Sequence, residues 1–167
     1  MGDSRKAAPG IQNSRVRPFP GMVDEQEGGL MPFYFGKRSK KNLAEAHPLL
    51  QELFREVIKH YDCTIIEGYR GKAEQEKAVE EGRSKLHFPH SKHNRMPSFA
   101  VDAVPYHALQ PHIRWDDREA FYHFAGFVLG IAASMGISIR WGGDWDSDHD
   151  LHDQAFMDLV HFELREK

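Results

Sequence analysis

The chain has 167 residues, 40% hydrophobic and 28% charged, with a formal net charge of −3; this fits one domain with a real core and gives no general attraction to nucleic-acid phosphates. A single cysteine, Cys63, excludes an internal disulfide and any metal site built on several thiolates, so a metal must be held by His, Asp or Glu, and 11 histidines make that feasible. No apolar run approaches the roughly 20 residues of a membrane span, and none follows Met1-Gly-Asp-Ser-Arg-Lys, so neither an anchor nor a secretory signal is expected.

Residues 1–36 are rich in Gly, Pro and charge without periodicity and read as an N-terminal arm; one domain is expected over 37–167. Ser39 is a candidate cap for a first helix. His47-Pro48 opens a second, whose Leu50, Leu53, Phe54, Val57, Ile58 and Tyr61 recur at helical spacing. Cys63 to Glu67 is short and β-branched, a strand ending at Gly68. Lys72 to Glu81 is a charged helix closed by Gly82. Phe99 to Val104 is a strand stopped by Pro105. Asp116 to Met135 is a long helix ended by Gly136. Ile137 to Trp141 and Val160 to Leu164 are the last strands. The irregular alternation predicts an α+β fold, a small antiparallel sheet flanked by helices.

The chemistry concentrates in two segments. Along the last strand Val160, Phe162 and Leu164 share one face, and His161 and Glu163 the other. Ala100 and Asp102 likewise point away from Phe99, Val101 and Ala103. If the two strands are neighbours, Asp102 and His161 meet over one sheet face, and His93 can reach them from the preceding loop. Two imidazoles and one carboxylate leave a zinc ion a coordination position for water and enough charge to lower that water's pKa towards ~7. Asp158, three residues before His161, is a candidate general base and later acid to the leaving amine. Taken singly, His161 or Asp102 reads first as a structural, capping or surface residue. The combination is what points to a metal site.

These residues carry a resemblance. Ser91-x-His93 leading to Ala100-Val-Asp102, with Asp158-x-x-His161-Phe-Glu163 near the end, resembles the zinc D-Ala-D-Ala carboxypeptidase and L-alanyl–D-glutamate endopeptidase family, in its phage endolysin form. Phe35-Gly-Lys-Arg-Ser39, Asn42-Leu43, His47-Pro48, Ile66-Glu-Gly-x-Arg70, Gln75 and Ile139-Arg-Trp-Gly-Gly-Asp144-Trp145 extend it from about residue 33 to the C-terminus. It implies a fold of the hedgehog/DD-peptidase type and a Zn²⁺ held by His93, Asp102 and His161. It also implies Asp158 as catalytic carboxylate, Arg70 and Gln75 at positions that contact substrate and steady an oxyanion, and Ser91 beside the metal. The His-to-Asp spacing is two residues longer than the usual family form, and Met96-Pro97-Ser98 is expected to bulge outward. The implied substrate is the peptidoglycan stem peptide, cut at the L-Ala–D-Glu bond. The implied protein is a monomer without nucleic-acid or membrane partners, made in the host cytoplasm and reaching the wall after the membrane is opened.

Asp144-Trp-Asp146-Ser-Asp148 suggests a second cation, because alternating carboxylates suit Ca²⁺. The full calcium-loop pattern is absent, with His149 at the sixth position where glycine is expected, so a solvated acidic loop is the first reading and a calcium site the alternative. Trp141 reads as core or as a cleft wall touching substrate. Three rivals stay open on the residues: a D-Ala-D-Ala carboxypeptidase, an inactive metal-stabilised wall-binding module, and a metal-dependent nuclease.

Overall fold

Phe162 explains much of the architecture. It is fully buried and meets Phe54 and Phe124 edge-on, with ring centroids 5.7 and 5.8 Å away. Burying one such side chain contributes about 1.5–3 kcal/mol. Because neighbours on a strand alternate, seating Phe162 in the core turns His161 and Glu163 to the opposite face. In the computed structural model, which describes residues 32–166, that opposite face carries the candidate site. The expected N-terminal arm falls mostly outside the described residues, although Phe35 is buried in the core.

The elements follow the order α1 (Lys37–Ala44), α2 (Pro48–Val57), β1 (Cys63–Glu67), α3 (Lys72–Glu80), β2 (Ala100–Pro105), α4 (Arg118–Ser134), β3 (Ile139–Trp141) and β4 (His161–Leu164), with a 3-10 turn at Lys92–Asn94. The fold is α+β, as expected. Its one sheet has the order β1-β2-β4-β3, and every pair is antiparallel. The central pair, β2 and β4, sets Asp102 directly opposite His161. On the core side, Leu50, Leu53, Phe54 and Val57 of α2 pack with Phe124, Val128 and Ala132 of α4 over Ile65, Val101 and Phe162.

Local chemistry accounts for most boundaries. His47 caps α2, its Nδ1 accepting from Leu49 N at 3.2 Å, and Pro48 needs no donor in the first turn. Asp117 caps α4 through Ala120 N at 3.1 Å. Gly82, after α3, has φ +73°, a conformation glycine adopts without steric cost. One expectation needs correction. Ser39 does not cap α1; it lies inside it, buried, with Oγ 2.7 Å from Thr64 Oγ1 and accepting from Ile65 N at 3.1 Å. It binds the helix to β1 instead. Among the described residues, no helix is long and apolar enough to cross a membrane.

Candidate metal centre and cleft

Three nitrogen and oxygen atoms converge on the site face. His93 Nε2 lies 3.0 Å from Asp102 Oδ1 and 3.1 Å from His161 Nδ1, and His161 Nδ1 lies 3.2 Å from Asp102 Oδ1. All three side chains are buried. The remaining nitrogen of each histidine is tied back to the protein. His93 Nδ1 donates to Gly68 O at 2.7 Å, and His161 Nε2 donates to Glu163 Oε2 at 3.0 Å. Those bonds fix the tautomers, so each ring, when neutral, turns the lone pair of its other nitrogen to the cluster. The donor set therefore fits a divalent cation, and two imidazoles with one carboxylate suit zinc. The structure brings together the three expected ligands, His93, Asp102 and His161.

The supports are specific. Ser91 caps the 3-10 turn, its Oγ accepting from His93 N at 3.3 Å, while Asn94 Oδ1 accepts from Ser91 N at 3.0 Å. Ser91 lines the cleft and also sets the backbone of His93. Between His93 and Asp102 the longer loop exposes Met96 but, against the expected outward bulge, buries Ser98 fully. Its far end is pinned by Ser98, whose O accepts from His47 N at 2.8 Å and whose N donates to Glu45 O at 2.9 Å. Gly68 is clasped by α1: a Cβ there would stand 2.1 Å from Asn42 O. Gly142 sets the other side. Its N donates to His161 O at 2.9 Å, its O accepts from Asp158 N at 2.7 Å, and a Cβ would stand 2.4 Å from Asp158 O.

Electrostatics separate the acids. Burial works against an ionised Asp102, yet the charges and hydrogen bonds of His93 and His161 hold its carboxyl well below the ordinary range. Burial pushes Asp158 up to about 6, with Asp102's charge adding and His161, His93 and Arg70 opposing. Burial would lower His161, but its hydrogen bonds to the Asp102 and Glu163 carboxylates raise it to about 9. Two neighbouring carboxyls pushed in opposite directions are a usual mark of divided acid–base roles.

A cleft of about 360 Å³ opens on this cluster, lined by His93, His161, Asp158 and Ser91 with Trp145, Phe156 and five cations: Arg70, Arg83, Lys85, Lys92 and Arg140. Against them stand only Asp158 and Glu163.

Arg70, expected to face substrate, lines the cleft but is largely committed. It pairs with Glu67, donates to Asp102 Oδ2 at 3.2 Å and reaches Gln75 Oε1 at 3.4 Å. That leaves Asp102 Oδ1 for the cluster. Gln75 is fully buried and does not line the cleft. It accepts from Asn94 Nδ2 at 3.1 Å and donates to Ser84 Oγ at 3.0 Å and Leu86 O at 2.5 Å, bracing the lip at 84–86. Trp141 is a core residue, 4% exposed, its Nε1 donating to Leu159 O at 2.9 Å and its indole folded across Gly143. It is not a cleft wall; Trp145 is.

Glu163 and Arg140 went unassigned in the sequence. They face each other across β3 and β4, with Arg140 Nη2 2.5 Å from Glu163 Oε1. The signal was present, since Glu163 alternates onto the same face as His161. Apart from this site, side-chain oxygens of Asp144, Asp146 and Asp148 lie within 4.8 Å of one another. Asp144 is buried, and its Oδ1 has no hydrogen-bond partner among the described residues.

A family model described as phage L-alanyl-D-glutamate peptidase matches residues 31–165. The L-alanyl-D-glutamate peptidase of Escherichia phage T5 is 36% identical over 126 residues, covering 74% of this chain and 90% of that protein. Among solved structures, the L-Ala D-Glu endopeptidase ChiX of Serratia marcescens superposes with a TM-score of 0.61 at 27% identity, covering 79% of this chain and 90% of that one.

Proposed function

Because the chain belongs to the phage L-alanyl-D-glutamate peptidase family, we propose that it is a metal-dependent endolysin that hydrolyses the L-Ala–D-Glu bond in the stem peptide of peptidoglycan. The observation that carries this reading is the convergence of His93 Nε2, Asp102 Oδ1 and His161 Nδ1 beside Asp158 in one cleft. A zinc ion held by those three residues would supply a Lewis acid that polarises the scissile carbonyl and acidifies the attacking water.

The chain's own groups do the rest. Asp158, at about 6, is a carboxylate at neutral pH and can accept the proton of the attacking water. As the carbon–nitrogen bond breaks, the same carboxyl returns that proton to the departing amine of D-Glu. L-Ala leaves as a carboxylate. Arg70 holds Asp102 Oδ2 and keeps the other oxygen turned inward. The half of the substrate beyond the cut carries the free carboxylate of D-Glu, and the cationic lining of the cleft suits it.

In this reading the protein acts from the host cytoplasm once the membrane is opened. Digestion of purified peptidoglycan followed by mass spectrometry of the new termini tests the proposal. New amino-terminal D-Glu is expected. Released D-Ala would assign the carboxypeptidase reaction instead, and an unchanged wall would leave a binding module.

A further inference from the structure

Resting on that reading, we propose that Trp115 is the platform of a saccharide subsite, where the muramic sugar of the substrate stacks while the adjoining peptide bond is cut. Trp115 lies in the loop between β2 and α4 and is 61% exposed. Its indole is backed by Phe121, with centroids 6.3 Å apart and planes 26° from parallel, so one ring face is supported and exposed area remains for a ligand. An exposed, braced tryptophan presents a large apolar area at little cost in side-chain freedom.

Its position gives the platform a use. Trp115 lines a groove of about 480 Å³ that also touches Asp158, Asp102 and Arg70. This groove and the cationic cleft share Arg70, Arg83, Phe156 and Asp158, so the two meet at the reacting centre. A substrate crossing that centre has one half in each.

The chemistry of the two halves assigns them. Beyond the scissile bond the stem peptide is acidic and suits the cationic cleft. Before it stands only L-Ala, whose amine is joined through a lactyl group to the sugar. One residue spans at most about 3.3–3.6 Å, so the sugar ring falls roughly 7–10 Å from the bond that breaks. A subsite on that side must therefore take a neutral pyranose almost at once. The groove offers Trp115 and Met157 as apolar surface, with Arg38 and Glu67 to donate to and accept from ring hydroxyls, and its cations and carboxylates are balanced. That pairing of an aromatic face with planar polar groups matches a sugar's apolar and hydroxylated faces.

The test uses the metal-loaded full chain and two substrates, a disaccharide-bearing muropeptide and the same peptide without sugar. Wild type should cleave the muropeptide with higher kcat/KM. Trp115→Ala should lose about three- to tenfold on the muropeptide, the scale of one aromatic stacking contact, and nothing on the free peptide. Trp115→Phe should recover part of the loss. Equal losses on both substrates, or none on either, would overturn the subsite. Titration of the metal-free protein with the peptide-free disaccharide, followed by tryptophan fluorescence, separates this proposal from the enzymatic reading. Disaccharide bound by wild type and not by Trp115→Ala, with neither peptide cleaved, would uphold the subsite and remove the peptidase assignment.

Discussion

Replacing Glu163 with Gln tests whether the metal centre is tuned from behind. Glu163 accepts from His161 Nε2 at 3.0 Å, and both side chains are below a tenth exposed. Gln keeps an acceptor but removes the charge that makes the imidazole a better donor to a cation. Losses of such partners cost 10–100-fold in metal affinity, about 1.4–2.7 kcal/mol. Protons compete with the metal for the same nitrogen. In the metal-free protein Asp102 and Glu163 raise His161 to about 9, so at pH 7 a metal must displace a proton to reach its Nδ1. That competition weakens wild-type binding at pH 7 and fades as pH approaches 9. Removing the Glu163 charge lowers the imidazole pKa and relaxes the competition. The deficit of Glu163→Gln should therefore be 10–100-fold at pH 9 and several-fold smaller at pH 7. Competition against a chromophoric chelator at both pH values measures it, with His161→Ala as the variant that loses metal at both. A Glu163→Gln protein that binds zinc as tightly as wild type at pH 9, or shows one constant ratio, would refute the reasoning.

Asp158→Asn should retain zinc and lose turnover by roughly 10² or more, measured as kcat alongside metal content; loss of metal from a folded variant would make Asp158 a ligand. Arg70→Ala strips a buried pair from Asp102, so the metal-free variant should be less stable by about 3 kcal/mol, a fall of roughly 6–12 °C in melting temperature, and should bind metal more weakly. Full metal content and wild-type melting with lowered turnover would return Arg70 to a substrate-clamping role. We propose calcium for the loop of Asp144, Asp146 and Asp148, on the strength of the unpartnered Asp144 Oδ1. Millimolar calcium should raise the melting temperature, and Asp146→Asn with Asp148→Asn should abolish the rise; no shift in wild type rejects the site.

The convergence of Asp102 and His161 was legible because strand alternation is a local rule. Phe162 marks the core face, so His161 is placed without knowing the fold, and Asp102 follows from the same rule in β2. What stayed hidden depended on partners far along the chain. Ser39 looks like a cap until Thr64, 25 residues on, claims its hydroxyl. Gln75 looks like a substrate contact until Asn94, Ser84 and Leu86 use its amide. Trp141 and Trp145 are alike in sequence, and only the bare backbone of Gly143 lets the first fold inward. The commitment of Arg70 to Asp102 likewise needs the register of β1 against β2.

The contact between Gly68 and α1 bears on how little of this protein can work alone. The carbonyl that orients His93 belongs to a residue with no room for a side chain, because the carbonyl of Asn42 presses against it. Asn42 in turn donates to Ile65 O at 3.0 Å, closing a short circuit between the first helix and the strand end that anchors His93. The minimal functional fragment is thus longer than the span from Arg70 to His161 that contains the reactive groups. A chain begun at β1 would keep all of those groups and lose the surface that holds Gly68 in place. In this fold α1, which contributes no reactive atom, is part of the foundation of the His93, Asp102 and His161 cluster.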